Sequence, residues 1–160
     1  MTLVRVRLAN PSEIVTKTFP EHIRKFYFQH AKKSFEIINS EKIQKILDEI
    51  LNSEEISREK IYDVRIMIFP PILDPHYTSG MINHDLGQIS IFPIFSYSGE
   101  VIIPDCLLNF ENEDLIFVIT VHIFNTLVHE ILHLKYDNEE IIEKKTEEYA
   151  ARMCKKLGFV

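Results

Sequence analysis

Cysteine is scarce in this chain of 160 residues. The two present, Cys106 and Cys154, stand far apart and form no C-x-x-C pair. That excludes the disulfide framework of a small secreted domain and points to a reducing, cytoplasmic setting. A membrane-spanning run is missing as well. The longest uncharged stretch, Leu115 to His129, is interrupted by His122 and Asn125. It falls short of the ~20 apolar residues a bilayer requires. It reads as a buried helix, with no stable membrane insertion. The opening "MTLVRVRLANPSE" lacks the apolar core of a signal peptide. Basic excess is absent too: 18 Lys and Arg face 24 Asp and Glu, for a net charge of −6. The acidic residues gather after residue 111, so no nucleic-acid partner is expected, because such a partner calls for a basic patch. The more basic N-terminal third, with Arg5, Arg7, Arg24, Lys25, Lys32 and Lys33, reads as a solvated face.

What is present is a globular composition, 46% hydrophobic and 26% charged. The length fits one domain over residues 1–160, with no internal repeat and no linker. "TLVRVRL" (2–8) alternates as a strand, and "NPSE" (10–13) is a turn. From Pro20 the residues Ile23, Phe26, Tyr27, His30, Phe35 and Ile38 recur at helical spacing. A second helix opens at Ser40 and Glu41, with Ile43, Ile46, Leu47, Ile50 and Leu51 on one face, and breaks in "NSEEISRE". The period then changes to two in "YDVRIMIF" (62–69). A proline-rich loop follows, and then strands at 87–95 and 99–104. Beyond Asn112 the pattern is helical to the end. The predicted fold is α+β: a small mixed or antiparallel sheet packed on the last two helices, with further helices near the N-terminus.

The most apolar helix ends in "TLVHEILHLKYDNEE", which holds His129, Glu130 and His133 in H-E-x-x-H order. Residues four apart share a helix face, so both imidazoles can reach one ion. Zinc suits nitrogen donors and, for catalysis, takes three protein ligands and keeps one position open. Glu130 stands beside that site, where a carboxylate can take a proton from a water whose pKa the metal lowers. Burying two histidines and a carboxylate in so apolar a helix costs several kcal/mol unless they are paired, and a metal would pair them.

The third ligand must lie beyond the "DN" turn at 137–138, a good N-cap pair for a returning helix. That helix carries the stripe Ile142, Thr146, Tyr149, Ala150, Met153 and Leu157. Glu143 borders the stripe at the height of His133. Glu147 lies one turn on and a little further out, Glu148 points away, and Glu139 sits close to the turn.

"HEILH" followed by "EKKTEEYA" resembles the gluzincin zinc peptidases. The nearest groups are the minigluzincins and the H-E-x-x-H peptidases that act on repressors in bacterial stress and mobile-element switches. The likeness covers roughly the last fifty residues. In the latter group a glutamate ligand is followed by small or aromatic residues three, six and seven places later. Thr146, Tyr149 and Ala150 stand at those offsets from Glu143. The resemblance therefore implies His129, His133 and Glu143 as zinc ligands and Glu130 as general base. It further implies a peptide or protein substrate. The alternative is a catalytically inactive or latent zinc-binding module that acts through protein–protein contacts. A metzincin-like arrangement would use Glu139 as ligand, but Tyr136 occupies the glycine position of its turn. Peptide deformylase would use a cysteine such as Cys106, but its glycine-rich segments are missing. Cys106 reads as a packing residue.

Other polar residues near these elements are His76, Tyr77 and His84, each placed to donate to an oxyanion, and Tyr149, which either polarises a carbonyl or packs in the core. His122 reads as a core histidine. The "GQISIF" strand is placed either to pair with an extended substrate or simply to fill the core.

Overall fold

A computed structural model of the chain describes residues 4–11, 13–69, 80–92 and 111–159. Strand β1 (Val6–Leu8) leads into three helices, α1 (Glu13–Thr18), α2 (Glu21–Ile38) and α3 (Glu41–Glu54). A single 3-10 turn precedes β2 (Asp63–Ile66), and β3 (Gly80–Asn83) and β4 (Gln88–Ile91) form a hairpin. The chain closes with α4 (Glu113–Leu132) and α5 (Glu139–Leu157). The architecture is α+β with a small mixed sheet, in the order β1-β2-β4-β3. β1 and β2 pair in parallel, as do β2 and β4, while β3 runs antiparallel to β4. The parallel pairing of β1 with β2 requires a long crossover, which α1 to α3 provide.

Two differences from the sequence reading have local causes. The turn read at 10–13 runs directly into the short helix α1. β3 falls partly inside the segment read as a proline-rich loop, because its four residues, Gly-Met-Ile-Asn, are too few to show a period. The β3–β4 turn is set by Gly87, whose φ of 60° is left-handed. A Cβ there would meet the Lys60 carbonyl at 2.6 Å, so only glycine fits. The strand read at 99–104 lies outside the described residues.

One sheet face is apolar. Val64, Ile66, Ile89 and Ile91 are buried against the helices. The other carries Arg7, Asp63, Arg65 and Gln88, joined by the Arg7–Asp63 pair at 2.9 Å, a Gln88–Asp63 bond and an Arg65–Ser90 bond. α4 lies against both β3 and β4 and also packs on α2 and α5. It buries Leu115, Ile119, Ile123, Phe124, Leu127, Val128, Ile131 and Leu132. Each such side chain contributes about 1.5–3 kcal/mol by leaving water. That is why a helix of weak amphipathicity is held at the centre. α5 packs on α4 and α3 and buries Ile142, Thr146, Tyr149 and Met153. Asn112 and Asn138 cap the last two helices, each accepting two backbone N–H bonds.

The N-terminal strand is tied down by a buried amide. Gln44 on α3 accepts from the Val4 N–H and donates to the carbonyls of Val4 and Ile38, at 2.9, 2.9 and 3.0 Å. Its side chain thus ties the segment just before β1 to the end of α2.

Candidate metal centre

The last turn of α4 places the two imidazoles side by side. His129 Nε2 and His133 Nε2 are 3.3 Å apart, and the ring centroids 5.0 Å. Both residues are partly buried, with 27% and 22% of their side chains exposed. The chain then turns through residues 134–138, and Asn138 starts α5. The first residue of α5, Glu139, reaches back across the turn. Its carboxylate oxygens stand 3.2 Å from His129 Nε2 and 2.8 Å from His133 Nε2. Among the described residues these three form the one group of three or more His, Cys, Asp or Glu side chains with donor atoms within 4.8 Å of one another.

The sequence placed Glu143 at this position, and the structure does not bring it there. Glu143 is exposed one turn further along α5, and Glu147 is exposed a turn beyond that. The short connection explains the difference. Five residues between His133 and Glu139 let the returning helix begin beside the imidazoles, so its first turn, rather than its second, faces them.

The spacing suits a tetrahedral ion. Two nitrogens each ~2.0–2.1 Å from zinc stand roughly 3.3–3.4 Å apart at the tetrahedral angle, and the two Nε2 atoms are 3.3 Å apart. Imidazole nitrogen and carboxylate oxygen are also donor types zinc takes. Three protein donors leave a fourth position for a water or a substrate oxygen.

Glu130 is buried, 8% exposed. It lies beneath the start of β3. A Cβ built on Gly80 would come within 2.7 Å of Thr126 Cγ2, 3.1 Å of Glu130 Cγ and 3.2 Å of Glu130 Oε1. The glycine is therefore what lets the strand cross α4 at this level. Burial, and then the nearby charge of Glu139, push the Glu130 carboxyl up to about 7. A divalent cation held by the three donors would draw it down.

His122 is half-buried one face-repeat earlier, its Nε2 3.1 Å from the Phe92 carbonyl. Burial lowers its pKa. His84 sits in the β3–β4 turn and is exposed. His76, Tyr77 and Cys106 lie outside the described residues. Tyr149 does not face the imidazoles; its hydroxyl donates to Glu54 at 2.5 Å.

Glu54 is a residue the sequence reading passed over. It ends α3 and is 3% exposed. Its carboxylate accepts from Tyr136 at 2.6 Å, Tyr149 at 2.5 Å and Lys145 at 3.0 Å, and its backbone carbonyl accepts from Lys135 at 2.5 Å. Burial alone would raise its pKa, but the hydrogen bonds from Tyr136, Tyr149 and Lys145 outweigh it and hold the group below its ordinary value. In "NSEEISRE" it looks like one of several surface glutamates. Its partners are 81 to 95 positions away, so no local pattern marks it.

Compared with protein-family models, curated proteins and solved structures, the chain matches none.

Proposed function

We propose that this chain is a zinc-dependent peptidase whose metal is held by His129, His133 and Glu139 and whose general base is Glu130. The observation that carries the reading is the triangle of donors, two Nε2 atoms 3.3 Å apart closed by one carboxylate at 3.2 and 2.8 Å. Zinc there would act as a Lewis acid toward a peptide carbonyl and make a water easier to deprotonate. Glu130, the residue after His129 and not itself among the donors, would take the proton from that water as the water oxygen bonds to the carbonyl carbon. It then passes the proton to the leaving amine as the C–N bond breaks, so the products are one new carboxylate and one new amine terminus. A non-catalytic metal site has no use for such a carboxylate.

The sheet supports an extended substrate. β3 is bonded to β4 on one side and has no strand partner on the other among the described residues. Its first residue lies over Glu130. A peptide added to that edge by backbone hydrogen bonds would run past the general base. The acidic chain and the buried, rather than lipid-facing, α4 favour a soluble protein acting on peptides or unfolded protein.

The test uses purified wild type and Glu130→Gln, zinc-loaded and assayed for metal content. Both are incubated with a diverse peptide library, and new termini are read by mass spectrometry. Both proteins should hold one zinc, and cleavage should fall at least ~10²-fold in the variant, the usual effect of removing a positioned proton-transfer group. Equal cleavage by both would remove Glu130 from the mechanism. Zinc binding without cleavage by wild type would leave a zinc-binding module in place of the enzyme. No zinc in either would remove the metal centre.

A further inference from the structure

We propose that Glu54 is a positioning residue for the metal centre: it clamps the α4–α5 turn so that Glu139 is held against the two imidazoles. The inference rests on the metal-centre reading above. The three donors come from two helices joined by five residues, and the Glu139 side chain is 55% exposed, more open to solvent than either imidazole. Its place is therefore set by the backbone that carries it. That backbone is fixed on both sides by one buried carboxylate. Tyr136, three residues before Glu139, donates to Glu54 Oε2 at 2.6 Å. Lys145, six residues after it, donates to Oε1 at 3.0 Å, and Tyr149 to the same oxygen at 2.5 Å. Lys135 reaches the Glu54 backbone carbonyl at 2.5 Å.

These are four attachments from the metal-bearing hairpin to the end of a helix that contributes no donor. Lys135 and Lys145 also stand over the Tyr136 ring, at 5.5 and 5.3 Å from its centroid. Tyr136 is thus held by its hydroxyl and by two ammonium groups over its ring. A short turn with one end of its exit helix pinned cannot slide along its axis. Sliding by one residue would move Glu139 by about 1.5 Å, enough to break a contact of 2.8 Å. Groups outside the ligand set that orient the ligands typically change metal affinity 10- to 100-fold when removed.

Tyr136 and Tyr149 separate positioning from plain stability. Each donates one hydrogen bond of nearly the same length to the same buried carboxylate, so each →Phe variant loses a similar amount of stability. Only Tyr136 lies within the turn that leads to Glu139. The experiment is a competition titration of zinc against a chelator with folded wild type, Tyr136→Phe, Tyr149→Phe and Glu54→Gln, alongside urea unfolding of the metal-free proteins. The expected result is affinity lowered at least ~10-fold in Tyr136→Phe. Tyr149→Phe should stay within about threefold of wild type at matched stability, a margin below the 10-fold effect of a true orienting group. Glu54→Gln should fall at least as far as Tyr136→Phe; if it does not fold, the two tyrosine variants decide alone. Unchanged affinity in Tyr136→Phe, or equal losses in the two tyrosine variants, would overturn the clamp while leaving the metal centre standing. Wild type that binds no zinc would overturn both.

Discussion

His129 and His133 present their Nε2 atoms to each other at 3.3 Å from consecutive turns of α4, and the Glu139 carboxylate bridges them from the next helix. The contact predicts which acidic residue of α5 matters. Glu139→Gln should weaken zinc binding at least ~10-fold, while Glu143→Gln and Glu147→Gln keep it, since both stand exposed beyond the donor group. Metal content after dialysis against a weak chelator reads the difference. Loss of zinc in Glu143→Gln with retention in Glu139→Gln would return the third position to the residue that the sequence spacing favoured.

Gly80 and Thr126 make a second test. A methyl at position 80 would meet Thr126 Cγ2 at 2.7 Å. A β-branched side chain on a helix has little rotamer freedom to yield. Gly80→Ala should destabilise the protein by about 1–3 kcal/mol, seen as a lower urea midpoint. Thr126→Ser removes Cγ2 and keeps the hydroxyl bond to the His122 carbonyl. The double variant should therefore recover much of the loss, a positive coupling of neighbours. Additive losses would show that the strain falls on Glu130 instead.

Acid should expose His30. Burial first, then the charge of His122, depress its pKa to about 4 from an ordinary 6.5. The unfolded chain then takes up a proton at higher pH than the folded one. The stability this site contributes is complete above about pH 6.5 and is lost as pH falls through 6.5 toward 4, by on the order of 3 kcal/mol. His30→Phe, which can keep its ring against Phe26, should flatten that part of the profile. The comparison is the difference in urea-unfolding free energy between pH 7 and pH 4 for the two proteins. An identical difference in both would place the acid sensitivity elsewhere, for instance at Glu54.

Helices with strong periodicity were readable from sequence nearly to their ends. Ser40 and Asn138 stand where helices were read to begin, and α2 starts one residue after Pro20. The strand read at 62–69 is shorter, Asp63–Ile66, and parallel to both neighbours. Alternation marks a strand but not the direction of its partners. At the candidate site, His129, Glu130 and His133 could be recognised because a four-residue helical repeat fixes their relation. Glu139 was passed over for Glu143, because its placement depends on the path of a five-residue turn. Glu54 and Gly80 were missed for a related reason: each acts on residues tens of positions away, through contacts that leave no local period.

The same contrast between near and distant contacts orders how the molecule assembles. The candidate donors lie between positions 129 and 139, within a single helical hairpin. The sheet instead joins Val6 to Val64 and Val64 to Ile89, pairings far apart in sequence whose closure is slow. Helical hairpins form in microseconds, whereas parallel pairing of this range belongs to the slow end of folding. Pulse-labelled hydrogen exchange during refolding should protect the amides of α4 and α5 before those of β2 and β4; simultaneous protection would contradict this order. Glu130 is sealed only when Gly80 arrives with the sheet. Refolding thus separates two events in time, the gathering of the donors and the closing of the strand over the acid beside them.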